Sequence, residues 1–303
     1  MSKVFDTHSH YMPPEVAQKT AFFKVGWSDI DRHLKVMDEH GIETSLLLYP
    51  TSDAHLNLGG WQKLSAIYNE KISEVVKTHP DRFIGAGILP MDQPQAIEGE
   101  LKKIEECRLK AISLASSYEG VYLDDPIFEP VYAFCERKKF PIHVHPQIMH
   151  PIGEERVQDP LLTPVLEYVF DVSVCIGKMM MGGVFLKFPH VKFIFAHYGG
   201  VLPFVKERFD NTYTMLRKRN FVKDIQKLPS EYFQNLYIDT SGSKSKAALL
   251  CALELVDASH ILFGSDFPAN QSMLQSIAVV KEDPSFQKMR DQILVQNAQS
   301  LFR

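Results

Sequence analysis

Histidines stand at the ends of short apolar runs, in positions where they could hold a metal ion. The first run ends in DTHSH, in which one residue separates His8 from His10. On an extended segment, residues i and i+2 point to the same side, so both imidazoles could contact one ion. The chemistry that this pattern favours is metal-assisted catalysis, with one coordination position left open for water or substrate.

Three further runs end in groups that can bind a metal. The fifth run ends in His143 and His145, the sixth in His197 and the eighth in Asp266. Imidazole nitrogen and carboxylate oxygen suit Zn²⁺, Mn²⁺ or Fe²⁺ without any thiolate. A single histidine at such a position is often an ordinary core residue, but recurrence at four run ends favours one common site.

The apolar runs alternate with amphipathic stretches, as expected for strand–helix units with a parallel sheet. Ile30, Leu34 and Met37, for example, recur at helical spacing before the stop signal Gly41. No GxGxxG turn follows the first run and no low-complexity linker divides the chain, so we predict an α/β fold, one (β/α)₈ barrel domain over residues 1–303. Catalytic groups of such barrels lie at the carboxyl ends of the strands. The eight predicted strands begin at Val4, Thr44, Arg82, Leu109, Phe140, Val191, Leu236 and His260.

The composition excludes several other classes of partner. Hydrophobic residues make up 45% and charged residues 23% of the chain, and the net charge is only −4 without a long run of either sign. These values give no basic surface for nucleic acid or an anionic membrane, and no apolar stretch reaches the length of a membrane span. The N-terminus lacks the pattern of a signal peptide, and the four cysteines are widely spaced without a CxxC pair. We expect a cytoplasmic protein that acts on a small organic molecule.

Four segments resemble signature segments of the amidohydrolase superfamily. They are DTHSHYMPP, PIHVHP, FAHYGG and FGSDFP. Two more, HYGGVLPFVKERF and the closing NAQSLF, are similar to segments of its aminocarboxymuconate-semialdehyde decarboxylase-like branch, which includes γ-resorcylate decarboxylase. The resemblance spans the whole chain and implies a distorted (β/α)₈ TIM barrel.

Position by position, the resemblance implies one divalent metal ion and a catalytic group beside it. Zinc is the first choice, with manganese or iron as alternatives. The branch places its ligand next to the proline, so His143 is at most a neighbour of the ligands. The lysine that bridges two metals in other superfamily members has no counterpart, because Lys110 begins the fourth strand. The implied ligands are His8, His10, His145 and Asp266, and the implied catalytic groups are His197 and Asp266.

Arg208, in the KERF segment, matches an arginine that in this branch binds a substrate carboxylate, often across a dimer interface. The resemblance therefore implies a homodimer. A second arginine of the branch is not matched in register, because His33 stands at its position and Arg32 one residue before it. This departure puts a two-arginine clamp on the carboxylate in doubt.

Our leading hypothesis is nonoxidative decarboxylation of a small organic acid. One alternative is hydrolysis of a lactone, ester or amide, with His197 assisting deprotonation of a metal-bound water or polarising the carbonyl. Another is hydration of an unsaturated dicarboxylate. A barrel that keeps a metal only to bind a ligand is the non-enzymatic alternative, although a structural site normally closes its coordination with protein ligands and needs no His197.

Overall fold

The computed structural model describes residues 3–21, 25–157 and 159–302, and in them eight parallel strands pair in chain order around a barrel. This confirms the predicted (β/α)₈ fold, and each predicted strand has its counterpart. A short antiparallel hairpin, Ser117–Tyr118 with Val121–Tyr122, follows the fourth strand. The barrel strands are Val4–His10, Ile42–Leu48, Phe83–Gly87, Ala111–Ala115, Ile142–His145, Phe193–Phe195, Tyr237–Asp239 and Ile261–Leu262.

The segment that follows the eighth strand hydrogen-bonds to the first strand and closes the ring. The Asp6 carboxylate supports this junction, because it accepts hydrogen bonds from the backbone N–H groups of His8 (3.1 Å) and Ser265 (3.0 Å). The junction therefore ties the predicted ligands of the first strand to the segment that carries Asp266. Its backbone hydrogen bonds run from Thr7 N–H to Phe263 O (2.8 Å), from Asp266 N–H to His8 O (2.8 Å) and from His10 N–H to Phe267 O (2.7 Å).

The two strands that were predicted to end in His197 and Asp266 both end earlier. The sixth was expected to reach His197 and the eighth to reach Asp266, but they end at Phe195 and Leu262. His197 has φ 55° and Asp266 has φ 54°, so both lie in the left-handed region, where a strand cannot continue. His197 thus begins the turn that follows the sixth strand, and Asp266 lies in the irregular segment that follows the eighth.

Helices surround the strands. The predicted helix Ile30–His40 begins where the Asp29 side chain accepts a hydrogen bond from the Arg32 N–H, and it ends at Gly41 with φ 69°. No helix in the described ranges is both long and apolar enough to cross a bilayer. The longer helices are Ile30–His40, Trp61–Thr78, Ile97–Glu106, Glu129–Lys138, Tyr168–Gly182, Leu202–Lys218 and Lys246–Leu255, with Ser276–Glu282 and Asn297–Phe302 towards the C-terminus.

The C-terminal helix Asn297–Phe302, which contains the NAQSLF segment, packs on the barrel. Phe302 stacks on Phe5 at a ring-centroid distance of 5.5 Å, near the start of the first strand and away from its histidines. The buried Asn297 amide donates two hydrogen bonds of 2.7 Å, to the carbonyls of Ala258 and Ile261 beside the eighth strand. This amide therefore fastens the end of the chain to the strand that precedes Asp266.

Replacing Asn297 with Ala should lower the free energy of unfolding by about 1–3 kcal/mol, because the buried carbonyl of Ile261 and the partly buried carbonyl of Ala258 lose their donor. Urea denaturation followed by circular dichroism measures the change. Gln296→Ala, at an exposed neighbouring position, is the matched control and should leave stability close to that of the unaltered protein. Equal stability of the two variants would contradict this role of Asn297.

Candidate metal centre

The four side chains predicted as ligands come together at the carboxyl ends of the first and fifth strands and in the turn after the eighth. The donor atoms of His8, His10, His145 and Asp266 all lie within 4.8 Å of one another. The Nε2 atoms of His8 and His10 are 3.1 Å apart, and Asp266 Oδ1 is 3.4 Å and 3.1 Å from them. Three buried imidazoles and one partly exposed carboxylate are a donor set that fits a first-row divalent ion.

Asp239, the last residue of the seventh strand, orients His8. Its Oδ2 accepts hydrogen bonds from Nδ1 of His8 (2.8 Å) and Nε2 of His143 (3.0 Å). Because the Nδ1 side of His8 is occupied, Nε2 is the atom that faces the other donors. A carboxylate behind a metal-binding histidine fixes its ring and raises its basicity.

The charges in this cluster balance each other. Burial alone would lower the pKa of His8, but the Asp239 and Asp266 carboxylates raise it to about 10. Burial alone would raise the pKa of Asp239, but His8 and the hydrogen bond from His143 hold it well below its usual range. In the metal-free protein, His8 therefore carries a positive charge between two carboxylates, at the place where a cation would stand.

The other two imidazoles are neutral, as metal ligands must be. Burial lowers the pKa of His10 and the pKa of His145. Nδ1 of His145 donates to the carbonyl of Pro146 (3.0 Å), which leaves Nε2 as the electron-pair donor. The histidine next to the proline thus has the tautomer that coordination requires.

His143 lies behind the cluster. Its Nε2 contacts Asp239, and its donor atoms form a second close group with those of His8 and Asp239. The contacts that hold this second group together are hydrogen bonds among its own members. That His143 neighbours the ligands stays a prediction.

His197 begins the turn after the sixth strand, with ring centroids 5.4 Å from His8 and 5.7 Å from His145. Its backbone N–H donates to Asp239 Oδ1 (3.1 Å), and its Nδ1 lies 2.8 Å from the Ser241 hydroxyl. Because that hydroxyl also contacts Asp239 Oδ1 as the donor, it accepts a hydrogen bond from Nδ1–H of His197. Burial lowers the pKa of His197, so its Nε2 keeps a lone pair that can take up a proton.

Asp239 and Ser241 were not predicted as site residues. Their strand was predicted, and the rule that polar residues at strand ends do chemistry applies to Asp239 as it does to the ligands. No sequence signal indicates that Ser241 joins His197 to Asp239, since 44 positions separate Ser241 from His197. Gly264 was also missed: a Cβ there would lie 2.8 Å from the Cβ of His8, so glycine permits this close approach.

A cavity of about 540 Å³ opens over the cluster. The long segment after the fifth strand contributes Ile148 and the residues around the turn Thr163–Glu167, and the loop after the eighth strand contributes Asn270. Its lining is mainly apolar away from His10, His145 and Asp266. The cavity therefore suits a small organic molecule that places one polar end on the cluster.

The two positions considered for binding the substrate carboxylate lie outside this cavity. Arg208 is exposed on the helix Leu202–Lys218 and lines a separate, largely apolar cavity of about 370 Å³. His33, at the unmatched arginine position, is buried against the rings of Phe83 and Phe267, and burial lowers its pKa to about 3. Neither Arg208 nor His33 lines the cavity over the cluster.

Comparison with known proteins identifies relatives along the whole chain. A family model described as Amidohydrolase matches residues 5–303. The chain is 26% identical over 297 residues to 2-amino-3-carboxymuconate-6-semialdehyde decarboxylase of Dictyostelium discoideum, covering 87% of this chain and 81% of the relative. It is 28% identical over 290 residues to γ-resorcylate decarboxylase of Rhizobium radiobacter, covering 86% of each.

Solved structures of decarboxylases share the fold. That of 5-carboxyvanillate decarboxylase from Sphingomonas paucimobilis matches with a TM-score of 0.88 at 22% identity, covering 100% of this chain and 99% of that one. That of dihydroxybenzoic acid decarboxylase from Polaromonas sp. JS666, with bound manganese and the inhibitor 2-nitroresorcinol, matches with a TM-score of 0.80 at 23% identity, covering 100% and 97%.

Metal affinity should rise with pH between about pH 6 and 8, by up to about tenfold per unit. His8, with its pKa raised to about 10, is protonated in the metal-free protein throughout this range, and an ion at Nε2 must displace that proton. Competition with a chelator of known pH dependence measures the association constant. An affinity that does not change with pH would rule out displacement of a proton from His8.

Proposed function

Because this chain belongs to the amidohydrolase family, we propose that it is a metal-dependent enzyme that removes the carboxyl group of a small organic acid as CO₂ without oxidation. The observation that carries the proposal is the convergence of His8, His10, His145 and Asp266 under a cavity, with His197 beside them. The relatives are named decarboxylases, which supports a carboxy-lyase. They do not favour hydrolysis, hydration or ligand binding without turnover.

In this proposal, His8, His10, His145 and Asp266 are the ligands of one divalent ion. Such an ion stabilises the negative charge that develops on the substrate oxygens. We retain zinc as the first choice, with iron still an alternative, and the manganese in the Polaromonas relative's structure supports manganese. Metal analysis of the purified protein, with activity after reconstitution by each ion, distinguishes them.

The chain's own residues handle the proton. Loss of CO₂ breaks a carbon–carbon bond, and the carbon that remains must gain one proton. Nε2 of His197 is the neutral acceptor facing the cluster, held by Ser241 and Asp239. The Oδ1 atom of Asp266 faces the imidazole of His10, and the Asp266 side chain also lines the cavity. Nε2 of His197 takes up one proton, from solvent or from the acidic group of the arriving substrate, and gives it to the substrate carbon as the carbon–carbon bond breaks, which returns His197 to its neutral state. The Asp266 carboxylate stabilises the protonated imidazole and is the second group able to relay this proton.

A homodimer and the role of Arg208 are part of the same proposal. Phe204 and Phe170 are 86% and 45% exposed, near the first turns of two helices that meet where the Val201 N–H donates to the Ser173 hydroxyl (2.9 Å). A second copy that covers this apolar surface would bring its own Arg208, one turn after Phe204, towards a neighbouring site. Since Arg208 does not line the cavity of its own chain, we assign it to the substrate carboxylate of the other copy.

Replacing His197 with Asn should leave the metal content unchanged and lower CO₂ release more than about 100-fold, because the proton acceptor is lost. Replacing His8 with Ala should abolish both metal binding and turnover. CO₂ release and ring opening are followed separately on 2,6-dihydroxybenzoate, 5-carboxyvanillate, muconate-type acids and small lactones. His190→Asn, an exposed histidine outside the cavity, is the matched control. Ring opening without CO₂ from any acid would move the protein to the hydrolases.

Hybrid dimers should show whether Arg208 acts at the site of its own chain or at the site of the other copy. If it acts across an interface, a dimer of one His197→Asn chain and one Arg208→Ala chain contains one intact site, and mixing the two inactive variants restores activity. If Arg208 acted within its own chain, each site of the hybrid would carry one defect and mixing would restore nothing. Light scattering of the unaltered protein and of Phe204→Asp checks that a dimer forms through this face.

A further inference from the structure

The cavity over the metal centre carries few polar groups apart from the ligands and His197. The segment after the fifth strand contributes Ile148, Val165 and Val169, together with the ring of Tyr168. No lysine or arginine occurs among the described residues that line this cavity. Among the described residues of this chain, a substrate bound here therefore finds only neutral polar partners beyond the metal centre.

Asn270 is such a group, and its amide is held in one orientation. Its Oδ1 accepts hydrogen bonds from the Ser272 N–H (3.1 Å) and the Ser272 hydroxyl (2.7 Å), so it caps the short helical turn Gln271–Gln275. A backbone N–H can only donate, which identifies the atom facing it as the amide oxygen. The NH₂ half of this cavity-lining side chain is then the part left for a ligand.

The position of Asn270 relative to the metal centre is also set. Its backbone N–H donates to the carbonyl of Asp266 (3.2 Å), four residues earlier. The other polar group on this side, the Ser241 hydroxyl, is already engaged with His197 and Asp239. The Asn270 amide is thus a fixed, neutral donor beside the proposed ligand Asp266.

We propose that Asn270 selects the substrate: its NH₂ donates a hydrogen bond to a neutral oxygen, so the preferred acid has one carboxylate and a hydroxyl or carbonyl substituent. Since Arg208 of the second copy is assigned to the reacting carboxylate, a second carboxylate would be buried among apolar side chains, with no lysine or arginine among the described lining residues to pair with it, which disfavours dicarboxylates. This inference rests on the proposed function for the identity of the reacting carboxylate, although binding tests it without turnover.

The test is calorimetric binding to the metal-loaded protein of 2,6-dihydroxybenzoate, with one carboxylate, and 5-carboxyvanillate, with two. We expect the monocarboxylate to bind at least about tenfold more tightly. Asn270→Lys supplies a cation and should shift the ratio of the two dissociation constants towards the dicarboxylate. Asn270→Asp keeps the oxygen that caps the turn but adds negative charge, and it should shift the ratio the other way. Asn235→Ala, an exposed asparagine elsewhere, should leave the ratio unchanged.

The readout separates selection from a structural role, because loss of the cap alone would weaken both acids equally. A ratio unmoved by both Asn270 variants, equal binding of the two acids, or binding of neither would overturn the inference. Measurement of CO₂ release in the same samples keeps the two proposals distinct. Selective binding without CO₂ would refute only the decarboxylation, whereas CO₂ release from both acids at equal efficiency would refute only the role of Asn270.

Discussion

The Asp239 carboxylate is completely buried, and a charge in that position is stable only because every neighbour compensates it. One oxygen accepts from His8 and His143, and the other accepts from the backbone N–H of His197 and from Ser241. Through these contacts one side chain sets the ring of a proposed ligand and the tautomer of the proposed proton acceptor. The proposed metal centre and the proposed proton path therefore share a single electrostatic anchor at the end of the seventh strand.

The backbone around Asp239 is locally strained. His197, Tyr198 and Asp266 all have φ values between 54° and 60°, in a region that non-glycine residues adopt at a cost. The hydrogen bonds that close the ring between the first and eighth strands hold Asp266 in this conformation. Gly264 contributes in a different way, since it lets the backbone pass against His8 and Asp239. A rigid, closed barrel is what allows such strained residues to persist at its mouth.

The barrel carries the proposed metal ligands, whereas the loops form the walls of the cavity. This separation explains how one family supports several substrates. The proposed ligands stand on strands or in the segment that closes the barrel after the eighth strand, where hydrogen bonds to neighbours leave little freedom. The cavity walls come from the segment after the fifth strand and the loop after the eighth, which contribute Ile148, Tyr168 and Asn270. Changes in these loops can alter the acid that binds without moving the metal centre.

The sequence by itself determined the barrel and the four proposed ligands, because both depend on patterns that are local in the chain. Apolar runs alternate with helical spacing, and the spacing of His8 and His10 on an extended segment already directs both rings to one side. The ends of the sixth and eighth strands were placed too late, since a left-handed turn at His197 or Asp266 leaves no mark on hydrophobic periodicity.

Only the tertiary structure decided how these residues are connected. The contact of Asp239 with His8 joins positions 231 residues apart, and no local pattern encodes a distance between such positions. The same holds for the link from Ser241 to His197, for the absence of Arg208 from the cavity of its own chain, and for the packing of His33 against aromatic rings. The amide orientation of Asn270 is set by the nearby Ser272, but its place at the wall of the metal cavity follows from closure of the barrel, which brings the end of the chain back to its beginning.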